Sequence, residues 1–273
     1  FIGDPMPEAA IYRFGTTRFQ SPSALSEIAL SPDEKFIVSI NGDGITTWDA
    51  STGKQLWAKT TVEMEIKGHL NLVAAAYGLR PLAFERKSSF FYASGIDGIS
   101  KWDVTTGDHQ TIPIRNSAAG FLATLGAEVF GSGGDTTKLY KSIDVSPDNK
   151  LLAVGSYQRL AVCKPDGTVI YEFKNRPKER LRMQNDNRDR LRFGGDYSYG
   201  RFSANNQVLA AVLSESQKEI RLISSGTGKE LRRISTTGNV VRMEFSPDSA
   251  TLVTTERDIA VRMYDVATGK LRW

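Results

Sequence analysis

Cysteine occurs once and histidine twice in the 273 residues, and that scarcity removes whole classes of chemistry. Cys163 alone cannot build an internal disulfide framework or a cluster of cysteine metal ligands. It lies in LAVC, an apolar strand-like run, and so reads as a small buried side chain, not a reactive thiol. His69 and His109 have no motif partner and no Gly-x-Ser-x-Gly elbow accompanies them, so no hydrolase constellation assembles. Both read as surface or turn residues. GSGGDTTK, residues 131–138, lacks the Gly-Lys-Ser/Thr ending of a phosphate loop and reads as an ordinary loop. No apolar run approaches the roughly 18 residues of a membrane helix. The opening FIGDPMPEAA has no basic head followed by a hydrophobic block. The expectation is a soluble chain, cytoplasmic or exported after removal of an upstream segment.

Charge is nearly balanced overall, with 35 Lys and Arg against 31 Asp and Glu, but it is unevenly placed. Lys174, Arg176, Lys178, Arg180, Arg182, Arg188, Arg190 and Arg192 face only Glu179, Asp186 and Asp189 within the same stretch. The basicity therefore belongs to one segment, and the pI implies no general nucleic-acid surface. Aromatic interleaving is limited to Phe193, Tyr197 and Tyr199, which makes nucleic acid unlikely there. Two readings stay open: a solvated charged loop, or a site for an acidic segment of another protein.

What the sequence does have is repetition. Gly42 to Trp57 reads GDGITTWDASTGKQLW, a turn, a strand, a second turn and another strand. DGISKWDVTTG follows from Asp97 and DIAVRMYDVATGKLRW from Asp258. Ser31-Pro32-Asp33 and Ser146-Pro147-Asp148 mark a second recurring turn. Trp48, Trp102, Cys163, Ile223 and Tyr264 occupy one marker position, spaced by 54, 61, 60 and 41 residues, and the last interval fits a repeat of about 40 to 45. Asp43, Asp97 and Asp258 are explained by their turns without a metal.

The strand and turn rhythm divides a single all-β domain, 1–273, into a lead-in with an unpaired or closing strand (1–21) and five units of four short strands. These are 22–60, 61–115, 138–173, 197–235 and 236–273, with an insertion at 116–137 and the basic insertion at 174–196.

These residues resemble the WD-repeat β-propeller family, whose repeats each form a four-stranded antiparallel blade. Trp48-Asp49 and Trp102-Asp103 match its signature literally, and Tyr264-Asp265 is a common variant. The resemblance implies a propeller of about five blades in this chain. In that family a Gly-His pair joins a buried hydrogen-bond network. Only Gly68-His69 resembles it here, so apolar packing is expected to hold most blades. The family also closes its ring with a strand from the opposite end of the chain, and Ala10 to Phe19 resembles that strand. Yet the fifth unit reads as owning a fourth strand at Lys270 to Trp273. A partial propeller, able to self-associate through its open ends, is therefore expected in preference to a closed five-bladed ring.

The implied function is a non-catalytic scaffold for protein–protein interaction, without cofactor or metal, acting through blade-top loops and the basic insertion. The candidate binding residues are Arg176, Lys178, Arg180, Arg182, Arg188, Arg190 and Arg192. The alternative comes from Asp-x-x-Thr-Gly-x-x-x-Trp at Asp49 to Trp57 and Asp265 to Trp273. It resembles the tryptophan-docking motif of propeller quinoproteins, which bind pyrroloquinoline quinone with calcium. There Trp57 and Trp273 would clamp one blade to the next.

Overall fold

Runs such as VLAAVL and LAVGS place β-branched and small apolar residues on both faces of a strand, which suits a strand covered on both sides. Strands are what form throughout. The computed structural model describes residues 19–21, 25–41, 44–60, 81–94, 99–114, 140–156, 159–174, 198–213, 216–257 and 260–273, and no helix occurs among them. The closing strand expected at Ala10 to Phe19 and the pair Gly68-His69 fall on residues outside that set, Phe19 excepted.

Blade 1 is β1 (Leu25–Leu30), β2 (Phe36–Asn41), β3 (Gly44–Asp49) and β4 (Gln55–Thr60). Blade 2 is β5 (Leu82–Phe84), β6 (Phe90–Ser94), β7 (Ile99–Asp103) and β8 (His109–Ile112). Blade 3 is β9 (Tyr140–Val145), β10 (Leu152–Ser156), β11 (Arg159–Cys163) and β12 (Val169–Lys174). Blade 4 is β13 (Tyr199–Phe202), β14 (Val208–Leu213), β15 (Ser216–Ser224) and β16 (Glu230–Ser235). Blade 5 is β17 (Val240–Phe245), β18 (Thr251–Glu256) and β19 (Val261–Asp265). Each is an antiparallel meander in chain order. First strands of consecutive blades touch one another, so they line the axis and the fourth strands form the rim of a β-propeller.

The fifth sheet departs from the expected four strands. Lys270 to Trp273 folds back along β19 and bridges it only at Tyr264 and Leu271, with Met263 N–H donating to Trp273 O at 2.7 Å. An outermost segment has a neighbour on one side only, and here its apolar side chains stay uncovered: Leu271 is 58% and Trp273 71% exposed. A single bridge is too little pairing to make this segment a strand.

Four apolar clusters join the blades in sequence. Val38, Ile40 and Ile45 meet Leu82, Phe91 and Trp102 between blades 1 and 2. Tyr92 and Ile99 meet Ile143, Val145 and Leu152 between blades 2 and 3. Leu160 and Val162 meet Phe202 and Leu209 between blades 3 and 4, and Ile220 and Leu222 meet Val240, Met243 and Leu252 between blades 4 and 5. The marker position sits inside this packing. Trp48, Trp102, Cys163, Ile223 and Tyr264 all stand opposite a residue of the second strand, at Ile37, Phe91, Leu152, Leu209 and Leu252. Burial pushes the Cys163 thiol up to about 12, which leaves it an inert core side chain.

The rim is fastened separately. The turn between third and fourth strands ends on a glycine with positive φ in every blade: Gly53, Gly107, Gly167, Gly228 and Gly269. A fourth-strand residue of the preceding blade lies on that glycine. Trp57 covers Gly107, stacks on Trp102 at 6.0 Å and donates its indole N–H to Val104 O at 2.8 Å. Tyr171 covers Gly228 and donates to Ser225 O at 2.8 Å, while Arg232 covers Gly269 and donates to Thr268 O at 3.0 Å. Ile112 and Pro113 fill the place over Gly167. In blade 1 the Gly53 carbonyl instead accepts from the Phe19 N–H at 3.2 Å, and the Phe19 ring lies 6.5 Å from that of Trp48.

Two substitutions test this fastening. Trp57→Ala should lower unfolding stability by about 2–3 kcal/mol, below the value for a fully buried tryptophan because the side chain is only partly buried. Gly107→Ala should cost more than about 1 kcal/mol, since the new Cβ meets the Trp57 ring at 2.9 Å on a backbone at φ 73°. Urea denaturation should show the double variant losing less than the sum, because removing the ring removes the clash and leaves only the backbone strain.

Candidate functional site

In an antiparallel meander the first and third turns fall at one end of the sheet and the second turn at the other. The first turns are built alike. Ser31, Ser146, Ser203 and Ser246 each accept the N–H five residues on, at 2.8–2.9 Å, from Phe36, Leu151, Val208 and Thr251. Their hydroxyls donate to Asp33, Asp148, Asn205 and Asp248. In the second blade Glu85 takes the serine's place and accepts from Tyr92, Lys101 and Ser88.

These turns are also tied to each other. Arg86 N–H donates to Asn149 Oδ1 and Asn149 Nδ2 donates back to Arg86 O, both at 2.8 Å. Asp148 N–H reaches Asn206, and Asn205 N–H reaches the Ser249 hydroxyl at 3.1 Å. Blades 2 to 5 thus share one hydrogen-bonded turn face around the axis.

Beside it, the first strands bring charge together. Asp144, Arg201 and Glu244 each stand two residues before the turn serine on adjacent blades. Arg201 donates to Asp144 at 2.6 Å and to Glu244 at 3.2 Å, and Phe202 N–H also donates to Asp144 at 2.8 Å. Arg242 and Glu27 pair at 3.7 Å, which links blade 5 to blade 1. Burial pushes the Asp144 carboxyl up, with Arg201 and the Phe202 N–H pulling against it. A cavity of about 10 Å³ opens beside Arg201 and Arg242, lined also by Ser142 and Tyr199. That is close to the least volume that holds one water. Sequence reading missed this cluster, although its signal was present: a charged residue two positions before each turn serine, at Asp144, Arg201 and Glu244.

The marker aspartates serve their own turns. Asp49 accepts from the backbone and hydroxyls of Ser51 and Thr52, Asp103 from Thr105 and Thr106, and Asp265 from Thr268. Donation by the Ser51 hydroxyl and by Thr52 holds Asp49 near 2, and the Arg272 guanidinium with Thr268 does the same for Asp265. Buried polar contacts supplement apolar packing more than expected. In blade 5 the buried Glu256 accepts from Gly238 N–H and Arg262 at 2.7 Å each, and from Tyr264 at 3.2 Å. His109 stacks on Trp102 at 4.1 Å on β8, not on a turn.

Arg176, Lys178, Arg180, Arg182, Arg188, Arg190 and Arg192 lie outside the described residues, as do Asp43, Asp97, Asp258 and His69. The flanks of the basic segment are described. At the end of β12, Glu172 binds Arg159 and Lys174, each at 3.0 Å, and these cations outweigh the burial that would raise its carboxyl. The chain resumes at Ser198, whose N–H donates to Ser156 O and whose carbonyl accepts from the Ser142 hydroxyl. Among the described residues no three of His, Cys, Asp and Glu come together in a way that could hold a metal.

Comparison with solved structures finds a likeness to a chain in a crystal structure of the mitotic checkpoint complex, with a TM-score of 0.61 and 14% identity. It covers 90% of this chain, which spans 62% of that chain. At this identity the likeness shows the fold, a WD-repeat-like β-propeller. In all, 1406 solved chains match, so the architecture is shared too widely to name an activity. No family model and no curated protein matches the sequence.

The axial charges give a pH-dependent prediction. Arg201→Met leaves the Asp144 carboxylate buried without its closest cation and should cost about 3 kcal/mol at pH 7. With its folded pKa raised further, Asp144 is stabilising while protonated and loses that contribution as pH rises, so the deficit should shrink between pH 7 and about 4. Adding Asp144→Asn should recover part of the loss. A deficit that stays constant over this range would show that the Asp144 charge is not the cause.

Proposed function

We propose that this chain is a non-catalytic propeller scaffold that binds another protein, with the basic segment as its contact for an acidic stretch of the partner. The observation that carries this reading is the anchoring of the segment. One flank is held on β12 of blade 3, where Glu172 pairs with Arg159 and Lys174, and the other lies between blades 3 and 4, where Ser198 bonds to Ser156 and Ser142. Seven further cations lie in the sequence between these two held points. Guanidinium groups in such number suit carboxylates, which they bind by paired, charge-assisted hydrogen bonds. The neighbour in the mitotic checkpoint complex supports the same class of role, since that chain is part of an assembly.

The Trp57 clamp fastens blade 1 to blade 2, which is the structural part that the quinoprotein resemblance gives this tryptophan.

A fluorescein-labelled oligoglutamate peptide tests the proposal by anisotropy. Wild type should bind it with affinity that falls as salt rises, and Arg180→Glu, Arg182→Glu, Arg190→Glu and Arg192→Glu together should weaken binding at least roughly tenfold. The melting temperature should hold, because none of these residues belongs to a described strand. Equal binding by the variant would take the basic segment out of the function.

A further inference from the structure

Leu231-Arg232-Arg233-Ile234-Ser235 sets arginines two and three residues ahead of a serine. Kinases of the arginine-directed class read that pattern, because carboxylates along the kinase's groove pair with both guanidinium groups while the serine meets the nucleotide. As a bare motif it carries little weight, since it recurs wherever arginine is common. What gives it weight is the strand that presents it.

A substrate groove takes an extended backbone with its side chains open to solvent. β16 is such a segment. It is the outermost strand of blade 4, paired to β15 along one edge, and five of its six residues are exposed, Ser235 among them. No described residue bonds the Ser235 hydroxyl. Arginine also stands three residues before Ser89, Ser224 and Thr236, and the fold withholds each of them. Ser89 follows the tight first turn of blade 2, where Lys87 has φ 53° and Glu85 N–H bonds back to Phe90 O. Ser224 lies on β15, an inner strand paired on both edges. Thr236 is buried and donates its hydroxyl to Gly238 O at 2.8 Å.

The two arginines are engaged at the surface. Arg232 donates to Thr268 O at 3.0 Å, and Arg233 pairs with Glu230 at 2.6 Å and with Glu219 at 3.4 Å. Exposed contacts of this kind hold weakly, so carboxylates of a kinase can replace them. Lifting Arg232 opens one rim fastening and leaves the apolar junction of blades 4 and 5 in place.

We infer that Ser235 is a phosphorylation site for an arginine-directed serine/threonine kinase, which recognises it through Arg232 and Arg233. In the transfer, Ser235 Oγ attacks the γ-phosphorus of ATP held by the kinase and the bond to the bridging oxygen breaks. ADP leaves, and the hydroxyl proton passes to a carboxylate of the kinase. The new anion forms beside cations. Ser235 stands opposite Glu219 in the register of β15 and β16, and Arg233 stands opposite Arg221, so these four residues share one face of the sheet. A phosphate there carries roughly two negative charges, repels Glu219 and draws Arg233 and Arg221 away from it. This inference rests neither on the basic segment nor on the scaffold reading.

The catalytic subunit of cyclic-AMP-dependent protein kinase, supplied with ATP labelled in the γ-phosphate, tests it on the folded 273-residue chain. Tandem mass spectrometry locates the phosphate. Ser235 should be labelled, and Ser235→Ala should remove that label. Arg233→Ala alters an exposed side chain, so circular dichroism should be unchanged while the rate of labelling at Ser235 falls at least roughly tenfold. Ser89 and Ser224 should take phosphate only after the chain is unfolded in urea. A folded chain without phosphate on Ser235, labelling of Ser235 confined to the unfolded chain, or a rate untouched by Arg233→Ala would each overturn the inference.

Discussion

A sheet of four short strands with apolar residues on both faces has nowhere to hide them except against another sheet, and each described blade is completed by the blades beside it. Burying one aliphatic side chain is worth about 1.5–3 kcal/mol. Each of the four junctions buries at least eight side chains, so the stability of any blade resides mostly in contacts that it does not own. That dependence explains why second strands such as LAVGS are buried at every position while fourth strands such as QLWAKT alternate. The former lie between neighbours on both faces, and the latter meet water at the rim.

Apolar packing brings the sheets together but does not fix how far one slides on the next. The polar contacts do that. At the rim a positive-φ glycine provides a flat place with no Cβ, and the residue lying on it takes a backbone carbonyl of the same turn. At the axis, Asn149, Asn206 and Ser249 tie successive turns, and the order Asp144, Arg201, Glu244 alternates sign across three blades. Each alternative register would leave one of these charges buried without its partner.

The fold was legible because its signals are local. Asp49, Thr52 and Gly53 form a turn by bonding to one another, and strand periodicity survives even where the marker tryptophan becomes Cys163 or Ile223. The axial cluster was not legible, because Asp144 and Arg201 are 57 residues apart and meet only through the ring. Nor does sequence reveal that Arg232 plays the part of Trp57. A guanidinium and an indole share flatness and an N–H, a similarity of shape that hydrophobicity patterns do not register. The segment expected as a fourth strand, Lys270 to Trp273, does run beside β19, but it pairs at the single bridge of Tyr264 with Leu271, a shortfall of pairing that an apolar pattern does not register.

A linear array of sheets, each leaning on its neighbours, holds its shape best in the middle, since a terminal unit has one junction and an inner unit two. Blade 3 is the middle unit here, and its second and third strands are buried nearly throughout, with Leu152, Val154, Leu160 and Val162 inaccessible to water. The basic segment leaves and rejoins the chain at this blade and the next. Lys174 on β12 and Ser198 ahead of β13, which flank the segment, are therefore tied to sheets that are covered by neighbours on both faces.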